Sequence, residues 1–194
     1  MPMPQCIRIA FNDRARADEL IALGWREIEV LETWTGGVPR DVIETERTEI
    51  ARRDDMEAIQ KLAARSFKHD RLHADPLVPA AEADAAKEKW VADAFQGTDR
   101  QITVARVNGE VGGFLIYKSW RRGSSARWLY IDLLAVDPRY RKHGLATQLV
   151  IQAARAGGFR KIMAGTQEAN EPARAFYKSL GMKVSTRQRT FHKP

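Results

Sequence analysis

Leu133-Leu134-Ala135-Val136-Asp137-Pro138-Arg139-Tyr140-Arg141-Lys142-His143-Gly144-Leu145-Ala146-Thr147-Gln148-Leu149 reads as strand, basic turn and helix N-terminus. Tyr130 to Val136 is apolar enough for a largely buried strand, Pro138 ends it, and Leu145, Leu149 and Gln152-Ala153 continue at helical spacing. The first-turn amides of such a helix have no intrahelical acceptor and sit at the positive end of its dipole, so they suit phosphate oxygens. Gly144 lets the backbone come close and take unusual dihedrals, small Ala146 keeps the next turn open, and Arg141, Lys142 and His143 bring charge to the same anion. A diphosphate is the expected guest.

A Walker loop needs Gly-Lys-Ser/Thr after a longer glycine loop, and a dinucleotide fingerprint needs three glycines opening a Rossmann unit; neither is here. A second element, Asn170-Glu171-Pro172-Ala173-Arg174-Ala175-Phe176-Tyr177-Lys178-Ser179-Leu180-Gly181-Met182, follows downstream. Asn170 caps a helix that accepts Pro172 in its first turn and stops at Gly181, with Ala173, Phe176 and Leu180 as an apolar stripe and Tyr177 beside it.

Arg141-x-x-Gly144-x-Ala146 after Val136-Asp137-Pro138, together with the Asn170 to Met182 segment, resembles the GCN5-related N-acetyltransferase (GNAT) family over roughly residues 45 to 194. The resemblance implies acetyl-CoA as co-substrate, no metal, and a cofactor site made by Arg141, Lys142, His143, Gly144, Leu145, Ala146 and Thr147. It also implies a bulged strand whose backbone at Leu134, Ala135 and Val136 serves the pantetheine arm and polarises the thioester carbonyl. Tyr177 then protonates the departing thiolate, where a residue-by-residue reading gives only an aromatic packed on the sheet. Asn170 hydrogen-bonds the pantetheine, or acts as a helix cap and nothing more.

The 194 residues, 44% of them hydrophobic, suit one good core with a small appendage or two small domains. Asp132 interrupts the best apolar run, so no bilayer span is expected, and Met-Pro-Met-Pro-Gln-Cys lacks the pattern of a secretory leader. The single Cys6 suits a reducing, cytoplasmic setting. The net charge of +7 is uneven: Met1 to Tyr117 holds 16 basic and 21 acidic residues, Lys118 to Pro194 holds 16 and 4, giving −5 and +12. A positive field would draw in a phosphorylated ligand. Nucleic acid is a weaker match, because the basic residues are dispersed and no binding module is present.

The expected order is a strand and helix over Thr45 to Ala63, a helix over Ala80 to Phe95, and strands Gln101 to Val107 and Val111 to Lys118. The last two flank Asn108-Gly109, a turn with or without Glu110. The Trp128 to Val136 strand, a helix from about Gly144 to Ala156, a strand at Lys161 to Thr166, the Asn170 helix and a strand from Lys183 to Phe191 complete the set. This is an α/β (α+β) fold, a mixed, mostly antiparallel sheet flanked by helices, over residues 41–194. Residues 1–40 read as a small α/β appendage joined by Thr35-Gly36-Gly37-Val38-Pro39. Leu23-Gly24-Trp25 onward parallels Leu180-Gly181-Met182 onward, which reads either as the remnant of a second acetyltransferase half or as chance.

For the acceptor, Ser66 to Pro76 and Lys89 to Gly97 resemble the TDP-fucosamine N-acetyltransferase branch, which implies a small-molecule amine acceptor of the nucleotide-linked amino-sugar class. Lys68 and Arg71 are candidate phosphate contacts or ordinary solvated charges, and His69 or His73 a candidate base. Spaced four apart, the two histidines would share a helix face, yet no third ligand accompanies them, so no metal is expected. Period-two alternation places Tyr130, Asp132 and Leu134 on one strand face and Ile131, Leu133 and Ala135 on the other. Asp132 among apolar neighbours would have a raised pKa and take the amine proton; the alternative is a structural ion pair with an arginine. A peptide or protein N-acetyltransferase, a non-catalytic acetyl-CoA-binding module and a homodimer all remain open at this point.

Overall fold

The apolar runs and the turns between them assemble into a single sheet. A computed structural model describes residues 3–40, 48–121 and 127–193. In chain order the elements are β1 (Gln5–Ala10), α1 (Arg14–Ala22), β2 (Arg26–Gly37), β3 (Thr48–Ile50), α2 (Met56–Ser66), α3 (Ala80–Gln96), β4 (Gln101–Val107), β5 (Glu110–Arg121), β6 (Arg127–Val136), α4 (Leu145–Ala156), β7 (Lys161–Gln167), α5 (Glu171–Ser179) and β8 (Lys183–Lys193). The strands lie in the order β1-β8-β2-β7-β6-β5-β4-β3, antiparallel throughout except for β6 and β7. The mixed, mostly antiparallel sheet flanked by helices is therefore borne out. Of the strand expected from Thr45, residues 45–47 lie outside the described residues. The β4–β5 turn is the short one: Asn108 and Gly109 have φ of 51° and 85°, and Glu110 already pairs with Val107.

Burial divides by sheet face. Leu115, Leu129 and Ile131 pack with Leu145 and Leu149 of α4 and Tyr177 of α5. Phe114, Ile116, Leu133 and Ala135 pack with Ile59 and Leu62 of α2 and Val91 of α3. Each fully buried large side chain contributes roughly 1.5–3 kcal/mol of transfer free energy. A smaller cluster joins Ala17 and Leu20 of α1 to Phe191 of β8.

Two expectations change here. Ile116 faces Leu133 while Tyr117 faces Ile131, so Asp132 is an extra residue, a β-bulge. The bulge reverses the alternation, sending Ile131 to the α4/α5 side and Leu133 to the α2/α3 side, whereas strict period two puts both on one face. It also lies upstream of Leu134 to Val136, where the resemblance implied it. Residues before Arg40, read as an appendage, supply two strands of the same sheet: β2 lies between β7 and β8 and pairs as far as Gly37 with Lys161. Thr35, Gly36 and Gly37 looked like a linker because of their glycines. Gly36 instead marks a close approach, since a Cβ there would stand 2.9 Å from Met182 Cγ.

Candidate active site

Parallel pairing of β6 with β7 runs only from Trp128–Lys161 to Ile131–Ala164. Beyond that the strands part, β6 staying with β5 and β7 with β2. A cleft of about 650 Å³ opens at the divergence, lined by Tyr130 to Leu134 of β6, Gly165 to Gln167 of β7, and Asn170, Ala173 and Tyr177. The backbone of β6 past Ile131 has no strand partner on that side, which leaves amides and carbonyls for a ligand.

The turn after β6 is held by Asp137, whose buried carboxylate accepts from the Arg139 amide at 3.0 Å and from Arg65 Nη2 at 2.5 Å. Its side-chain hydrogen bond with Arg139, ahead of the backbone bond and the charge of Arg65, lowers its pKa to about 2. Lys142 and Gly144 both take left-handed dihedrals, with φ of 66° and 82°. Two left-handed residues this close together bend the chain sharply just ahead of the first-turn amides of α4. Gly144 is the N-cap of α4 and supplies no side chain to its first-turn amides. Arg141, Lys142, His143 and Gly144 are exposed, Ala146 and Thr147 half-buried, and Leu145 buried against the core. Arg141 Nε donates to Val136 O at 3.1 Å, tying the turn back to β6.

Tyr177 is 5% exposed and stacks beside Trp34 and Phe176, with ring centroids 6.1 and 5.6 Å away. Burial pushes its phenol well above the ordinary value, so it stays protonated. Asn170 caps α5, its Oδ1 accepting from the Ala173 amide at 3.3 Å, and it also lines the cleft. Asp132 is not among apolar neighbours: its Oδ2 accepts from Arg100 Nε at 2.6 Å and from Trp90 Nε1 at 3.2 Å. Of the two readings open from the sequence, the ion pair with an arginine is present.

At the far end of the cleft, Arg71 lines the wall, whereas Lys68, His69 and His73 do not. The segment from Phe67 to Pro79 forms turns rather than a helix, so the four-residue spacing of the histidines carries no shared face. His69 is exposed, Lys68 pairs with Asp84 at 2.6 Å, and His73 lies between Asp70 (2.6 Å) and Asp84 (2.9 Å). Several wall residues were missed: Arg8, Lys87, Trp90, Arg100 and Gln167. Lys87 had a signal, because it shares the buried stripe of α3 with Ala83, Val91 and Ala94. Burial pushes its amine below the ordinary value; Nζ stands 3.6 Å from Asp70 Oδ2 and 4.8 Å from the Trp90 ring centre. Arg8 had none, since an arginine in a short mixed strand is usually a solvated charge.

The matching family model, the acetyltransferase (GNAT) family, spans residues 56–182. A curated relative, the spore coat polysaccharide biosynthesis protein SpsD of Bacillus subtilis (strain 168), is 29% identical over 141 residues, 71% of this chain and 47% of its own length. The chain thus spans about half of that relative. A functionally unknown conserved protein from Staphylococcus epidermidis superposes with a TM-score of 0.70 at 13% identity, covering 97% of this chain and 72% of its own. AAC(6')-Iy in complex with a CoA-S-monomethyl-acetylneamine bisubstrate analogue gives 0.53 at 19% identity, covering 72% and 91%. With the divergent strands, the left-handed turn before α4 and Tyr177 in place, the family match covers well over half of the chain, which belongs to the GNAT family of acetyl-CoA-dependent N-acyltransferases.

Proposed function

We propose that this chain moves the acetyl group of acetyl-CoA to the primary amine of a nucleotide-linked amino sugar. The observation that carries acyl transfer is the gap between β6 and β7, with Tyr177 in its wall and β6 running on into the left-handed turn at Lys142–Gly144. The donor set fits the co-substrate: first-turn amides with no side-chain cap, three exposed basic side chains, and nothing but Gly144 and its chain neighbours within 4 Å of where a Gly144 Cβ would stand. In this reading Arg141 to Thr147 hold the diphosphate, while the backbone of Leu134, Ala135 and Val136 and the side chain of Asn170 take the pantetheine arm.

The acceptor nitrogen forms its bond to the acetyl carbon, the C–S bond breaks, and the sulfur takes the Tyr177 proton as the ammonium proton leaves. A phenol kept neutral by burial is suited to that donation across the working pH range. Asp132, held by Arg100 and Trp90, shapes the cleft wall as one half of an ion pair, and the proton lost by the nitrogen passes to water. The sugar reading is supported by the polysaccharide-related name of the curated relative and by the guanidinium groups at the acceptor end of the cleft.

The test is an amine screen that follows release of free coenzyme A, comparing TDP-linked amino sugars, the same free sugars, aminoglycosides and peptides. A kcat/KM far higher for the nucleotide-linked sugar is expected, since remote binding energy is then available to the transfer step. Equal values for a peptide or a small amine at matched salt move the assignment to a peptide or general amine acetyltransferase. Acetyl-CoA binding without thiol release across the panel identifies a binding module.

A further inference from the structure

Buried polar groups on β2 and β8, with the exposed Arg8 of β1 beside them, are not used by the acyl transfer. His192 of β8 is fully buried and engaged at both ring nitrogens: Nδ1 lies 2.8 Å from Asp75 Oδ2 and Nε2 lies 3.1 Å from Arg71 Nη1. A guanidinium can only donate, so Nε2 accepts and the ring proton sits on Nδ1, donated to Asp75. Asp75, also buried, takes Arg26 Nη2 of β2 at 2.9 and 3.2 Å. Three distant stretches of chain thus converge on one outcome, the heading of Arg71 into the cleft.

Arg8 of β1 reaches the same cleft. Its Nε donates to Thr190 Oγ1 at 3.2 Å and its Nη2 lies 3.8 Å from Glu29 Oε1. Glu29 Oε2 is buried with no partner. Glu29 and Asp75 are buried carboxylates that face partly exposed guanidinium groups, an arrangement that adds little stability that apolar packing would not give, so its net product is the direction of Arg8 and Arg71.

We propose that Arg8 and Arg71 form the subsite for the acceptor's anionic group, a diphosphate, and that His192 is a positioning residue for Arg71. The proposal rests on the nucleotide-sugar reading above. It gives the first forty residues a task in substrate selection, with Arg8 contributing directly and Arg26 through Asp75.

With a TDP-linked amino sugar as substrate, Arg8→Ala and Arg71→Ala should each raise the acceptor KM about tenfold or more, without moving the KM for acetyl-CoA. TDP alone should compete with the acceptor, and its inhibition constant should weaken in parallel. His192→Asn, which can still donate to Asp75 but no longer accepts from Arg71, should raise the same KM and add nothing in an Arg71→Ala background. His192→Gln, whose carbonyl oxygen can accept from Arg71, should recover part of the loss. Additive losses in the double variant, or equal shifts in the KM for acetyl-CoA, would overturn the positioning role. If TDP competes and the nucleotide sugar is preferred but the arginine variants leave both constants unmoved, the subsite is wrong while the functional reading stands. If TDP does not compete and the free sugar reacts as well, the functional reading fails and the subsite with it. Should the histidine variants not fold, the two arginine variants decide the subsite alone.

Discussion

The β1-α1-β2 and β7-α5-β8 units are built to one local plan, and of their two helices only α5 lines the cleft. Each helix has nine residues and a side-chain cap, Asp13 accepting from the Arg16 amide at 3.1 Å and Asn170 from the Ala173 amide at 3.3 Å. Each is followed by a left-handed glycine, Gly24 with φ 82° and Gly181 with φ 73°. Four residues before that glycine stands a large buried side chain, Leu20 in one and Tyr177 in the other. The units also interlock, since β8 lies between β1 and β2 and β2 lies between β8 and β7. What separates them is the neighbour: β7 borders β6, which departs and opens a cleft under Tyr177, whereas β1 is the edge of the sheet. A place in the cleft wall is created here by what an adjacent strand fails to cover.

The comparison breaks first at its two buried side chains. Leu20→Ala should cost about 3 kcal/mol of stability, read by denaturant melts, with the kcat of the folded fraction retained. Tyr177→Phe should do the reverse, lowering kcat about a hundredfold while acetyl-CoA affinity and the melting midpoint hold. An unchanged kcat under chemistry-limited conditions would remove Tyr177 as the proton donor.

Asp137 tests how much the neighbouring turn supplies. Its carboxyl sits at about 2 in the folded protein against an ordinary 3.8, so its contribution is complete above pH 4 and is lost as pH falls toward 2. Asp137→Asn should therefore remove about 2 kcal/mol at neutral pH and flatten the acid limb of the stability curve between those values. Gly144→Val should weaken acetyl-CoA binding about tenfold in titration, because a β-branched residue resists positive φ. The strain falls on the turn and not on the core, since nothing but Gly144 and its chain neighbours lies within 4 Å of an added Cβ. Smallest are the caps: Asp13→Ala and Asn170→Ala should each cost about 1 kcal/mol in thermal melts. Only the second should also raise the KM for acetyl-CoA, and equal KM values would confine Asn170 to capping.

Local grammar made much of this molecule legible from its sequence. Strand, turn and helix from Leu133 to Leu149, the Asn108-Gly109 hairpin and the Asn170-to-Gly181 helix all follow from residues within a few positions of one another. Long-range pairing did not have that support. Nothing near Arg26 to Gly37 states that this strand inserts between β7 and β8, and its glycines argued for a linker. The bulge at Asp132 was hidden because an apolar run reads the same with or without an extra residue, yet it decides which face Leu133 serves. Arg8 and His192 gain their meaning only from contacts with residues more than a hundred positions away.

The interlocking of the two units has a consequence for how the chain is made. Contacts such as Thr190 with Glu29 span 161 positions, so β2 leaves the ribosome long before either of its partners exists. Until β7 and β8 emerge, both of its backbone edges are bare, and bare strand edges are templates for unwanted pairing. High contact order of this kind slows folding and lengthens the exposure. The β2 stretch Arg26–Gly37 carries glutamates at 27, 29 and 32, charges that discourage self-association during that wait. Only when β8 emerges, after β7, can β1 be joined to β2.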